Sequence, residues 1–279
     1  MRFCLAVAHG SLTAAAFILL LSSLHACKPN SSPDVGDAAL APRLLDDRDE
    51  IEAYLESFPY QDYKIHDVPE LGRFYLDENP AGVKNRLRQG KRWEEHVAKE
   101  FEKYVVPGSI ALDIGAHIGS HTLTLARLVG PTGRVYAFEP QKKVFRELVY
   151  NLKLNEISHA IPLRFAVSSE SGIVEMDPIQ GADGQVRVGK GGDVVEARTI
   201  DSFGFSNVSL IKIDVEGHQL PVLKGAERTI RTSHPVIIIE IGREQRRETK
   251  LKLGEYGYRY RRIAFYDFVA LHETDLERW

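Results

Sequence analysis

From residue 109 to residue 241 the chain alternates two patterns. Apolar runs of six to eight residues (109–114, 133–138, 160–167, 208–213 and 235–241) are separated by longer stretches. In three of those stretches apolar residues return every three or four positions: Leu123, Ala126 and Leu128; Val144, Leu148 and Leu152; Leu220, Leu223, Ala226 and Ile230. Runs with no polar alternation are strands covered on both faces. The three-to-four period marks the helices that cover them, predicted over 141–154, with Pro140 in its first turn, and over 219–231. Residues 168–203 break the rhythm, with strand-like pieces at 172–176, 185–188 and 193–198 between Gly- and Asp-rich turns, which predicts a β-hairpin insertion on the rim. After a charged helix over 243–253, residues 256–271 alternate aromatic and polar positions and predict a terminal antiparallel hairpin. The expected fold is α/β: a Rossmann-like sheet with helices on both faces, occupying 108–273.

Upstream the pattern is more helical. Trp93, Val97, Phe101 and Tyr104 fall at spacings of four, four and three and predict a helix over 91–105, closed by Pro107-Gly108. Residues 44–58 form an acidic stretch with Leu45, Ile51, Tyr54 and Leu55 on one side, ended by Pro59. A short strand over 73–76 and turn chemistry at Asn79-Pro-Ala-Gly82 complete an N-terminal helical extension over 44–107. Residues 28–43, with several Pro, Gly and Ser, read as a flexible linker. Residues 1–27 have three readings. Arg2, the apolar core over 12–24 and Leu24-His-Ala-Cys27 resemble a signal peptide with a lipoprotein cleavage box. The uncharged run over 3–26 is also long enough for a membrane anchor. A misassigned start codon is the third reading, and it would leave the protein cytoplasmic. Under the first two the chain is membrane-associated in the cell envelope.

Composition narrows the chemistry. A net charge of −3 over 279 residues offers no nucleic-acid-binding surface. Both cysteines, Cys4 and Cys27, precede the main domain, so disulfides, thiolate catalysis and cysteine-ligated metal are excluded within it.

The chemistry-bearing residues gather at strand ends. The first run ends Asp113-Ile-Gly115-Ala116-His117-Ile-Gly119 and enters a helix, a tight glycine turn that lets a ligand approach the backbone. The spacing is Gly-x-x-x-Gly, not the Gly-x-Gly-x-x-Gly of dinucleotide binders. Asp113 suits a cofactor carrying positive charge. The second run ends in Glu139-Pro140, placing a carboxylate where it can accept from both hydroxyls of a ribose. The fourth run ends Asp214-Val-Glu216-Gly-His218, and Glu240 lies near the end of the fifth.

Asp113-Ile-Gly-Ala-His-Ile-Gly119, Phe138-Glu-Pro140, Ile211-Lys-Ile-Asp-Val-Glu-Gly217 and Val222-Leu-Lys-Gly225 together resemble the FkbM-type family of S-adenosylmethionine-dependent methyltransferases, over about residues 93–241. His117 stands where the family has Asn. The resemblance implies a class I methyltransferase sheet. It assigns S-adenosylmethionine to Asp113, Gly115, Ala116, His117, Gly119 and Glu139. A Trp-Glu pair such as Trp93-Glu94 lies beside that pocket in the family. Methyl transfer needs a positioned acceptor and, for a hydroxyl, a proton acceptor. His218 and Glu216 are the candidate bases, with Asp214 as orienting acid. Asp214 and Glu216 have two further readings, metal ligation and capping of the next helix; no metal site is assigned. His121 is read as structural, and Arg187 and Lys190 as candidate acceptor contacts. The expected activity is O-methylation of a sugar, polyketide or other hydroxylated small molecule. The alternatives are a nicotinamide-dependent dehydrogenase and a tethered lipoprotein with an inactive methyltransferase fold.

Overall fold

The computed structural model of the chain describes residues 63–78, 80, 82–178, 186–189 and 193–279. The expectations for residues 1–58, Asn79 and Lys190 lie outside them, as does the side chain of Arg187. Among the described residues no helix is long and apolar enough to cross a membrane.

The described residues open with β1 (Lys64–Val68), β2 (Gly72–Leu76), α1 (Gly82–Arg88) and α2 (Glu95–Tyr104). Next come β3 (Ile110–Ile114), α3 (Ser120–Val129), β4 (Arg134–Phe138), α4 (Lys142–Leu154) and β5 (Ala160–Leu163). An excursion of short strands follows: β6 (Ala166–Val167), β7 (Gly172–Pro178), β8 (Val186–Gly189) and β9 (Asp193–Arg198). The chain then returns through β10 (Val208–Ile213), α5 (Gln219–Gly225), α6 (Glu227–Ser233) and β11 (Val236–Glu240). It finishes with α7 (Arg246–Glu255), β12 (Tyr258–Arg262) and β13 (Asp267–His272).

The main sheet has seven strands in the order β12-β13-β11-β10-β3-β4-β5. The five apolar runs pair in parallel, and β13 runs antiparallel to both β11 and β12. Alternate residues of each strand enter separate cores. Ala111, Val135, Leu210 and Val236 pack with α2, α3 and α4, whereas Leu112, Tyr136, Ile211 and Ile237 pack with α5, α6 and α7. The order reverses between β3 and β10, which puts the ligand crevice beyond their carboxyl ends.

Several expectations are corrected. The apolar run 160–167 is two strands, because Phe165 N–H closes a tight turn onto Leu163 O at 3.0 Å. Its second half pairs with β9 instead, so the insertion is a four-stranded sheet ordered β6-β9-β7-β8. The helix over 219–231 breaks at Ala226, whose φ of −111° is not helical. The helix after Glu139 begins at Lys142, beyond Pro140, because the Glu139 carboxylate accepts from Gln141 N–H at the helix entrance. The N-terminal extension is less helical than expected, since β1 pairs with β2 in an antiparallel hairpin. The α2 helix starts only at Glu95, after Glu94 in a left-handed conformation with φ 42°. Likewise, the predicted charged helix is shifted to α7.

Candidate functional site

The turn between β3 and α3 is built on backbone that few side chains allow. Gly115 has φ +84°, and a Cβ there would lie 1.8 Å from the carbonyl oxygen of Asp214. That close approach joins the turn to the end of β10. The Gly115 and Ala116 N–H groups both donate to Phe138 O at 3.0 Å, which locks the turn to β4. His117 takes a left-handed conformation at φ 51°. Its backbone N–H donates to Glu139 Oε2 at 3.0 Å, and Gln141 N–H donates to Oε1 at 2.9 Å. Glu139 is 3% exposed. Burial, only partly offset by these two N–H donors and the Lys212 charge, pushes its pKa up to about 7. Each carboxylate oxygen keeps a lone pair, so ionised Glu139 can accept from two vicinal hydroxyls.

A cavity of about 410 Å³ opens above this turn. Gly115, Ala116, His117 and Glu139 line it together with Asp214, Glu216 and His218. Trp93, Glu94, Ser120 and His121 form a further wall, and His121 Nε2 pairs with Glu94 Oε2 at 3.0 Å. Two expected cofactor contacts lie behind the wall. Asp113 is fully buried and accepts from Thr122 Oγ1 at 2.7 Å. Gly119 packs beneath, where a Cβ would meet Leu148 at 2.8 Å. Both shape the turn without facing the cavity.

Lys212 escaped the sequence reading. Parallel pairing of β10 with β3 sets it beside Asp113. It is buried, donates to Gly115 O at 2.9 Å, and stands 3.4 Å from Asp113 Oδ1 and 3.3 Å from Asp214 Oδ2. Burial opposes its charge, but the two aspartates hold its pKa above the ordinary value. A lysine in the middle of Val-Ser-Leu-Ile-Lys-Ile was the available signal, since a charge within a two-sided strand needs partners.

Asp214 and Glu240 end neighbouring strands and share a hydrogen bond. Burial opposes ionisation of Asp214, yet Lys212 brings its pKa below the usual carboxylate value. Burial and the Asp214 charge raise Glu240 to about 9, so the proton of this pair resides on Glu240. His218 Nε2 lies 3.0 Å from Ser168 Oγ, and burial lowers its pKa, leaving it neutral near pH 7. The N-cap residue of α5, His218, makes no side-chain capping hydrogen bond. Among the described residues no group of three or more His, Cys, Asp or Glu is arranged to hold a metal.

A second cavity of about 550 Å³ adjoins the first. The two share Val188, Glu216, His218 and Glu240. The first could hold a cofactor: Glu139 can accept from a ribose, the Gly115–His117 turn is seated against Asp214 O, and anionic Asp214 can face a positive centre.

A model of the FkbM methyltransferase domain matches residues 113–260, just over half of the chain. The hexuronic acid methyltransferase AglP of Haloferax volcanii is 29% identical over 167 residues, 57% of this chain and 68% of that protein. Among solved structures, the methyltransferase FkbM of Methylobacillus flagellatus matches with a TM-score of 0.44 and 19% identity. The match covers 63% of this chain but only half, 50%, of that one. The M. jannaschii TYW2 structure in complex with AdoMet matches with a TM-score of 0.43 and 18% identity, over 77% of this chain and 85% of that one.

Proposed function

The chain belongs to the FkbM methyltransferase family, and from that premise we propose that it transfers the methyl group of S-adenosylmethionine to a hydroxyl group of a sugar. The observation that carries this reading is the meeting of two cavities at Glu216, His218 and Glu240. A donor in one cavity and an acceptor in the other would face each other across these residues. The Haloferax relative, named for a hexuronic acid, supports a sugar over the other hydroxylated acceptors. The family match leaves the nicotinamide-dependent dehydrogenase without support.

When bound, S-adenosylmethionine supplies an electrophilic methyl on a sulfonium. Glu139 would accept from the ribose hydroxyls, and the Gly115–His117 turn would hold the nucleoside. Asp214, ionised through Lys212, would stabilise the positive centre. His218 takes the acceptor's proton: with Nε2–H donating to Ser168 Oγ, Nδ1 keeps its lone pair. Glu216 is the second candidate for that proton.

The test is to incubate the protein with S-adenosylmethionine and a panel of methyl glycosides, following S-adenosylhomocysteine and methylated sugar by mass spectrometry. Stoichiometric formation of both is expected. Cofactor binding without transfer to any glycoside would overturn the sugar reading and revive the inactive fold.

We also propose, from the apolar run over 12–24 and Leu24-His-Ala-Cys27, that the mature chain begins at Cys27 and is held at a membrane. Mass spectrometry of the N-terminal peptide of the native protein tests this. An intact, unlipidated peptide carrying residues 1–27 would end the idea.

A further inference from the structure

The second cavity lies beyond the carboxyl end of β11, between two loops. One is Gly242-Arg-Glu-Gln245, leading into α7; the other carries Phe265 and Tyr266, leading into β13. Ile241 N–H donates to Tyr266 O at 2.9 Å and fixes the loops together. Arg243 and Gln245 line the cavity with Tyr266. The Arg243 guanidinium lies 5.7 Å from the centroid of the Phe265 ring. Among the described residues it makes no ion pair and no hydrogen bond. Gln245 donates through Nε2 to Gly217 O, while its Oε1 is buried without a partner.

A wall with an exposed, unpaired guanidinium, an unused amide oxygen and a tyrosine ring, beside the carboxyl groups of Glu216, Glu240 and Glu244, suits a ligand that offers a carboxylate to Arg243, a hydroxyl and an apolar ring face. The fork of N–H donors on a guanidinium matches a carboxylate bidentately. We infer that this cavity is the acceptor subsite and that Arg243 selects a carboxylate-bearing sugar, a hexuronic acid, over its neutral counterpart. Glu240, on the border with the first cavity, keeps its proton through the neutral range and so does not repel that carboxylate. The inference rests on the reading of the site as a sugar methyltransferase, which it makes more specific.

The experiment uses the full chain saturated with S-adenosylhomocysteine, titrated with methyl β-D-glucuronoside and with methyl β-D-glucoside. The native protein should bind the glucuronoside about tenfold or more tightly, the worth of a charge-assisted pair. Arg243→Gln should reduce glucuronoside affinity to that of the glucoside. Its affinities for the glucoside and for S-adenosylhomocysteine should stay within about twofold, which also reports that the variant is folded. Equal native affinity for the two sugars overturns the inference, as does glucuronoside binding that is unchanged in Arg243→Gln or weakened in step with the glucoside. A parallel transfer assay separates this from the broader reading. Arg243-dependent binding without methyl transfer keeps the subsite and removes the sugar methyltransferase. Transfer to both sugars alike, indifferent to Arg243, keeps the methyltransferase and removes the subsite.

Discussion

Glu139 has to be ionised to accept from two hydroxyls, yet its site holds it at a pKa of about 7. The folded pKa is above the ordinary 4.5, so the contribution of this group to stability is complete below 4.5 and is lost as pH rises to about 7. Binding runs the other way. Between pH 6 and pH 8 the ionised fraction rises about tenfold, and S-adenosylmethionine affinity should rise by about the same factor. Isothermal titration across that range checks it. Glu139→Gln should abolish this pH dependence and cost about ten- to a hundredfold in affinity at pH 8, the worth of a charge-assisted hydrogen bond. Unaltered affinity in the variant would remove Glu139 as the ribose acid. The proton acceptor is tested separately. His218→Ala should lower kcat by about 10²–10⁴ while cofactor affinity holds, with loss of the limb of the pH–rate profile that reports His218. A larger drop for Glu216→Gln would transfer that role to Glu216.

At the scale of elements, Gly225 joins two parts of the site. A Cβ there would lie 2.0 Å from Ser168 O, so the end of α5 rests directly on the backbone that follows β6. Gly225→Ala must push the two apart, with an expected loss of about 1–3 kcal/mol in denaturant unfolding. Because Ser168 also holds His218, kcat should fall further than Ser168→Ala alone makes it fall; equal kcat values would show that the contact serves packing only. This junction was not legible in sequence, and the reason is physical. The strands of the parallel sheet announced themselves because burial on both faces leaves almost uninterrupted apolar runs, as in Val236–Glu240. The Asp113, Glu139 and Asp214 carboxylates were legible because they end such runs. The split of 160–167 was not, because both halves are apolar and only pairing partners distinguish them. Strand β1 was hidden as well: Lys64–Val68 is mostly exposed and carries no buried alternation. Lys212 and Gly225 act through contacts with Asp113 and Ser168, which are distant in sequence. A single-chain pattern does not encode such contacts.

Over the whole described molecule, the segment ahead of the sheet forms one wall of the first cavity. Pro80, Gly82, Val83 and Trp93 line it. Phe74, Leu76 and Leu87 of this segment are buried in the core shared with α3 and α4, and a buried polar cluster adds to that packing. Lys84 is 1% exposed, donating to Asp77 Oδ1 at 2.7 Å and to Glu147 Oε1 of α4 at 3.0 Å. Tyr63 donates to the same Glu147, and Asn151 Oδ1 accepts from Tyr75 N–H at 2.8 Å. Burial raises the pKa of Glu147, and Lys84 opposes that rise most strongly, with Tyr63 and Lys143 adding to the opposition. Lys84→Met keeps the length of the side chain and removes its charge. The expected loss is about 3–5 kcal/mol of unfolding free energy, because Glu147 and Asp77 are left without that partner. Lys84→Met combined with Glu147→Gln should recover part of it, since the buried charge is then gone as well. If Pro80–Val83 positions the nucleoside, Lys84→Met should also weaken S-adenosylhomocysteine binding, and the double variant should restore affinity together with stability. Ligand at a hundred times its own Kd stabilises any binding-competent fold by about 2.7 kcal/mol, so matched saturation separates lost affinity from lost folding. Full native affinity in a destabilised Lys84→Met protein would make the N-terminal segment a support for α4 alone, and cofactor recognition would then rest on the β3 and β4 ends.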